Sequence, residues 1–311
     1  MTPHGEHKNG GEFRYIGWLR ERTPADPRVL VGPGDDCAVL VPPTRPQLVT
    51  TDMLMDGTDF VVAEVGPRRV GRKAMAANLS DIAAMAGEPT AAVVSAALPR
   101  SGGQTFAEEL YLGLRDIADT FGVPIVGGDT NSWDGPLVIS VTAIGEVSER
   151  GAVPRGGAKP GDWLFVTGVL GGSILGHHLD FTPRVREALT LHAAVELHAM
   201  CDISDGLSAD LGHILEESGC GAVIVAEAIP ISAAARELSC TSGLSPLQHA
   251  LGDGEDFELV FAVSPSDGEK LSRSPPVPGL AKIGECVEAG LWLETNGIRE
   301  PLKATGWVHS L

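Results

Sequence analysis

The stretch from Arg150 to Gly161, RGAVPRGGAKPG, decides how this chain is organised. Its closely spaced glycines and prolines oppose any continuous helix or strand, so it reads as a boundary between two domains, 1–150 and 151–311. A chain of 311 residues is long enough to bury a core on each side. Towards the N-terminus the pattern predicts strands at 136–147 and 123–127, a helix at 104–121 and a strand at 90–98. Before them runs a long helix from Pro67 to Met85, with a proline suited to its first turn, an alanine-rich body and Gly87 to close it. Strands at 47–52 and 37–41, parted by Pro42-Pro43-Thr44, and a helix at 12–21 complete this half. Towards the C-terminus come a strand at 162–167, short helices within 173–196 and a strand at 198–203. A helix at 207–218, a strand at 221–226 and weaker alternation follow. Helices and strands alternate throughout, which predicts an α/β or α+β architecture.

Charge narrows the partners. With 23 basic against 41 acidic residues the net charge is -18, a field that repels nucleic acid and anionic lipid. It also repels a nucleotide unless cations intervene. The cysteines Cys37, Cys201, Cys220, Cys240 and Cys286 are odd in number and scattered without a CxxC pair, which suits a reducing, cytoplasmic compartment. The opening MTPHGEHKNGGEF lacks the apolar stretch of a secretory signal, and no apolar run is long enough to span a bilayer, so no membrane partner is expected.

The familiar nucleotide loops fail. GPRRVGRK, Gly66 to Lys73, has Arg72 where a P-loop has lysine and no hydroxyl after it. TGVLGGS, Thr167 to Ser173, is glycine-rich but lacks the dinucleotide spacing. What stands out is a set of aspartates at apparent strand ends and turns: Asp35 and Asp36 in GPGDD, Asp52 in TTD, Asp129 in GGDT, and Asp202 and Asp205 in DISDG. Asp81 in NLSD joins them from a helix. Singly, each suits a turn, a cap or a solvated face. As a group they imply cations, because two like charges about 4 Å apart repel by about 4 kcal/mol at an effective dielectric near 20. Oxygen ligands of this kind suit Mg²⁺, which bridges carboxylates to phosphates. No Ser-His-Asp, Cys-His or zinc arrangement appears, and no catalytic acid or base is assigned.

VGPGDDCAVL, TTDMLMDGTDF, KAMAANLSDIAAMAGEP, VPIVGGDT, AKPGDWLFVTG, CDISDGLSADLGHI and GDGEDFELVF occur in this order. The series resembles the thiamine-monophosphate kinase family, part of the superfamily that includes aminoimidazole ribonucleotide synthetase. The resemblance implies an N-terminal α/β domain that dimerises through its sheet, a C-terminal α+β domain, and an ATP cleft between them. Asp36, Thr50, Thr51, Asp52, Asp81, Asp129, Asp202 and Asp205 match the family's magnesium positions, and Tyr111, Gly128, Asp129, Arg155 and Ser204 its ATP positions. Glu255 and Trp307 match positions on the thiamine side. The implied activity is phosphorylation of thiamine monophosphate by ATP through direct in-line transfer, in a cytoplasmic homodimer. The acceptor is then a phosphate monoester, already anionic, which needs positioning and charge neutralisation rather than a base.

Three departures bear on the acceptor. Asp59, in DGTDF, stands where the family has an acceptor-side histidine, and is expected to face the acceptor through a further Mg²⁺ or a protein cation. Asp253 puts an extra negative charge into DGED, and the stretch between Gly172 and Ala199 is short. Two alternatives stay open: another ATP-using member of the superfamily with a different small-molecule acceptor, and a silent nucleotide- or cation-binding protein.

Overall fold

The computed structural model describes residues 11–306. They form two compact units, the first built from residues up to Leu79 with Pro89–Glu146, the second from Ser80–Glu88 with Val147 onwards. The expected combination of α/β and α+β layers is what forms.

In the first unit the order is α1 (Gly11–Arg22), β1 (Val29–Val31), β2 (Val39–Leu40), β3 (Gln47–Met55), α2 (Val62–Val65) and α3 (Pro67–Ala84). From Ser80 onwards α3 belongs to the second unit. Then come β4 (Gly87–Pro99), α4 (Gly103–Ala118), β5 (Ile125–Trp133) and β6 (Val138–Val147). The main sheet has the order β3-β6-β4-β5, with β3 antiparallel to β6 and β4 parallel to β5. Helices α3 and α4 touch backbone to backbone at two glycines. A Cβ on Gly71 would lie 2.1 Å from the Leu110 carbonyl oxygen, and one on Gly113 only 1.8 Å from that of Arg68. The alanines of α3 therefore favour the helix and also keep its buried face thin, with Ala74, Ala76 and Leu79 fully buried.

Two strands run further than the sequence pattern predicts. β3 continues past Asp52 to Met55, and β5 continues past Gly127 through Gly128-Asp129-Thr130 to Trp133. Glycine and aspartate have poor strand propensity, but register with β4, from Ala92 opposite Ile125 to Pro99 opposite Trp133, holds them extended. Asp129 and Asp52 thus sit within strands, not at the strand ends and turns the pattern suggested.

The second unit continues with β7 (Trp163–Val166), α5 (His177–Asp180), α6 (Val185–Ala194), β8 (Leu197–Asp202), α7 (Leu207–Ser218) and β9 (Gly221–Val225). After these come α8 (Ala233–Ser242), α9 (Pro246–Gly252), β10 (Leu259–Val263), α10 (Pro265–Arg273), β11 (Ala281–Val287), β12 (Leu291–Thr295) and β13 (Ile298–Pro301). The sheet order is β13-β12-β9-β11-β7-β10-β8, antiparallel apart from the β9–β12 pair. β10, LVFAV, paired on both sides by β7 and β8, is buried on both faces, which explains why it is apolar without alternation. One core holds Leu164, Val166, Cys201, Val260 and Ala262 of the sheet against Leu207, Leu211 and Ile214 of α7. Among the described residues no helix is long and apolar enough to cross a membrane.

Candidate functional site

A cavity of about 1020 Å³ opens in the first unit, lined by α1, the Pro33–Ala38 loop, β4, α4 and the start of β5. Asp36, Tyr111, Gly128 and Asp129 all line it. Gly128 has a backbone conformation, φ 155, next to the extended region, and a Cβ there would sit 1.8 Å from the Val94 carbonyl oxygen. Only glycine lets β5 lie this close to β4 while Asp129 follows at the cavity wall. The Tyr111 ring is buried and packs edge-on against Trp18, centroids 5.7 Å apart, with its hydroxyl 3.4 Å from Thr23 Oγ1. It is thus a core residue that also walls the cavity. Asp35 supports its neighbour: its Oδ1 accepts the Asp36 N–H at 3.0 Å.

Thr50, Thr51 and Asp52 do not line that cavity and are held on β3. Thr50 faces Ala143 across the ladder, and Thr51 donates to the Val141 carbonyl at 3.1 Å. The Asp52 N–H donates to Asn78 Oδ1 of α3 at 3.1 Å. Asp59 is tied into the turn after β3, its Oδ2 accepting the Met55 N–H at 2.6 Å while its carbonyl accepts the Lys73 ammonium at 2.6 Å. Lys73 is only 1 % exposed, so the turn is pinned from inside the unit.

The second unit gathers Asp81, Arg155, Asp202, Ser204 and Asp205, joined by two residues the sequence reading passed over, Cys201 and Asp210. The Ser80 hydroxyl donates to Asp202 Oδ2 at 2.7 Å across 122 positions of sequence. Burial, and then the Asp81 charge, push the Asp202 carboxyl far above the ordinary carboxylate range. Asp210 Oδ2 accepts the backbone N–H groups of Asp205 and Gly206, each at 3.0 Å, and so ties down the DISDG turn at the start of α7. Burial and the Asp205 charge lift Asp210 to about 7. Its only signal in the sequence is an acidic residue in the first turn of a helix. Asp205, Asp210 and His213 bring ligand atoms within 4.8 Å of one another. Arg155 lies by Cys201, Asp202 and Asp210, whose negative character holds its pKa above the usual arginine value. Carboxyls driven this high by burial and mutual repulsion, with oxygen as the prevailing donor, are what a hard divalent cation relieves. The donor set therefore fits Mg²⁺.

The DISDG turn is bonded to the loop that carries Glu255. Glu255 N–H donates to the Ser204 carbonyl at 2.7 Å, and Phe257 N–H to that of Ile203 at 2.8 Å. Glu255 and Phe257 both have left-handed backbones, φ 54 and 50, at a cost of about 1–2 kcal/mol each for residues with a Cβ. The extra charge of Asp253 is met locally, because its carboxylate bonds His249 Nδ1 at 2.8 Å and accepts the Gly172 N–H at 2.7 Å. Trp307 lies outside the described residues.

Known proteins resemble this chain along most of its length. Residues 34–147 match the family described as AIR synthase related protein, N-terminal domain, and residues 155–291 its C-terminal domain. Thiamine-monophosphate kinase of Rhodopirellula baltica is 43% identical over 308 residues, covering 96% of this chain and 97% of the relative. The crystal structure of thiamine-monophosphate kinase from Stenotrophomonas maltophilia superposes with a TM-score of 0.77 at 32% identity, over 93% of this chain and 96% of that one. AaThiL complexed with AMPPCP and TMP gives a TM-score of 0.75 at 28% identity over the whole of both chains.

Proposed function

The chain belongs to the thiamine-monophosphate kinase family of AIR synthase related proteins, and from that premise we propose that it transfers the γ-phosphoryl group of ATP directly to thiamine monophosphate, yielding thiamine diphosphate and ADP. The observation that carries this reading is the bond from Glu255 N–H to the Ser204 carbonyl, 2.7 Å. It joins a residue matched to the acceptor side with one matched to ATP on two touching loops. In the first unit Tyr111, Gly128 and Asp129 take the nucleotide, with Asp36, Thr50, Thr51, Asp52 and Asp129 as magnesium positions. In the second unit Arg155 and Ser204 are the matched ATP positions, with Asp81, Asp202 and Asp205 as magnesium positions. Bound Mg²⁺ supplies charge neutralisation between carboxylates and phosphates.

The protein's own groups orient and bind. Arg155, exposed beside a patch of negative charge, offers a planar fork suited to phosphate oxygens. Glu255 holds the thiamine side of the acceptor, and Asp59 and Trp307 stand as further acceptor positions by their match to the family, Asp59 acting through a further Mg²⁺ or a protein cation. Because the acceptor monoester is already ionised, no side chain has to remove a proton, and catalysis lies in alignment and charge stabilisation.

The residues 1–150 act as the metal-binding, nucleotide-binding and dimerising domain and 151–311 as the second domain of a cytoplasmic homodimer. Val49 and Met53 on β3, 68% and 63% exposed, support pairing through the sheet. The test is incubation with ATP, Mg²⁺ and thiamine monophosphate, with products followed by mass. Formation of thiamine diphosphate and ADP in equal amounts is expected. ADP release that needs a different monophosphate acceptor, or none at all, would refute the assignment.

A further inference from the structure

The TGVLGGS segment is the one glycine-rich motif that the reading above leaves without a task. Gly171 and Gly172 are left-handed, φ 87 and 75, and form the kind of turn whose N–H groups often receive a phosphate. Here both N–H groups are already occupied. Gly171 N–H donates to both carboxylate oxygens of Asp256, at 2.8 and 3.0 Å, and Gly172 N–H donates to Asp253 Oδ2 at 2.7 Å. The Ser173 hydroxyl donates to the Gly254 carbonyl at 2.6 Å, and His177 Nε2 lies 3.0 Å from the Asp256 carbonyl. Asp256 is 3 % exposed. The turn also has no room for side chains, since a Cβ on Gly171 would lie 2.6 Å from the Ala250 nitrogen and one on Gly172 2.4 Å from that of Ala235.

These bonds fasten the Asp253–Glu258 loop on one side, while Ser204 and Ile203 hold it on the other. The loop needs fastening, because Glu255 and Phe257, on either side of Asp256, both hold left-handed backbones that residues with a Cβ avoid. The buried Asp256 carboxylate, planted on Gly171, fixes the residue between the two.

We propose that Asp256 is a positioning residue: seated on the Gly171 N–H, it holds Glu255 in the left-handed conformation that presents its carboxylate to the acceptor, so that the Gly171–Ser173 turn is a clamp for the acceptor loop and not a phosphate cradle. The second half of this inference rests on the proposed placement of the acceptor at Glu255. Burial raises the Asp256 carboxyl well above its usual range, and the Gly171 N–H partly offsets this.

The experiment combines amide hydrogen exchange at Gly171 and Glu255, without substrate, with steady-state kinetics of the full-length enzyme. Asp256→Ala should speed exchange at both amides by about tenfold to a hundredfold, the scale of one lost buried hydrogen bond. It should raise KM for thiamine monophosphate by about tenfold or more while KM for ATP changes less than about twofold. Asp256→Asn keeps an oxygen for Gly171 N–H and should restore both readouts to within about threefold. Should Asp256→Ala not fold, Ser173→Ala loosens the same loop at Gly254, and a smaller change of the same sign is expected. In a Glu255→Gln background, the Asp256→Ala penalty on acceptor KM should shrink, because both act through one side chain. Unchanged exchange in Asp256→Ala overturns the clamp, and fully additive penalties overturn its action through Glu255. Faster exchange together with an unchanged acceptor KM in Glu255→Gln leaves the clamp supported and refutes the placement of the acceptor.

Discussion

Replacing Arg184 by methionine removes one half of an ion pair whose halves lie at different depths. The Glu258 side chain is 3% exposed and that of Arg184 28%. Arg184 Nε donates to Glu258 Oε2 at 2.8 Å, a second guanidinium nitrogen reaches Oε1, and the Thr167 hydroxyl donates to Oε2 at 2.6 Å. Methionine keeps most of the apolar stem but leaves Glu258 buried with Thr167 alone, a loss of about 3–5 kcal/mol for breaking a buried pair from one side. Glu258→Gln should cost less, about 1–3 kcal/mol, because glutamine still accepts from Thr167 and the half-buried guanidinium turns to water. At about 2–4 °C per kcal/mol for a unit of this size, the Arg184→Met transition should fall by about 6–20 °C and the Glu258→Gln transition by roughly half as much. Calorimetry of the two variants beside the parent measures this order. Equal shifts, a reversed order, or a loss for Arg184→Met that vanishes in high salt would show that the pair is solvated and refute the reasoning.

Three further outcomes follow from the same structure. Asp52→Asn, Asp81→Asn and Asp129→Asn should each lower turnover by about 10²-fold with the fold intact, and excess chelator should abolish activity until Mg²⁺ is restored; initial rates and circular dichroism check both. Asp210, lifted from 3.8 to about 7 by burial and Asp205, binds a proton when folded that the unfolded chain has already released. The Asp210 contribution to the stability of chelator-treated protein should therefore be lost as pH rises from about 4 to about 7, with Asp202, raised further still, extending the fall above that range. Asp210→Asn, which keeps an acceptor for the Asp205 and Gly206 N–H groups, should raise Tm at pH 8 more than at pH 5. Gly113→Ala forces a Cβ to within 1.8 Å of the Arg68 carbonyl oxygen and should cost at least about 1–3 kcal/mol, whereas Gly17→Ala, with nothing within 4 Å, should be neutral or stabilising by thermal melt.

By itself the sequence determined what local chemistry can settle. The alanine-rich run after Pro67 had to be a helix, and RGAVPRGGAKPG had to interrupt regular structure, because propensity and missing N–H groups act within a few residues. The carboxylates of GPGDD, TTD, NLSD, GGDT and DISDG were legible one by one as acidic positions, but which of them gather was not, because spacing along the chain does not fix distance in space. Only the tertiary structure decided what depends on distant partners. β5 runs on to Trp133 because β4 pairs with it, against the propensity of Gly128 and Asp129. Asp202 and Asp210 titrate high because the fold buries them beside Asp81 and Asp205, a property absent from their spacing. TGVLGGS showed in the sequence only glycines without the dinucleotide spacing, and it was the fold that set Asp253 and Asp256, more than 80 residues away, on its N–H groups. Propensity is a property of a residue and its neighbours, whereas burial, pairing and pKa belong to the surroundings that long-range packing assembles.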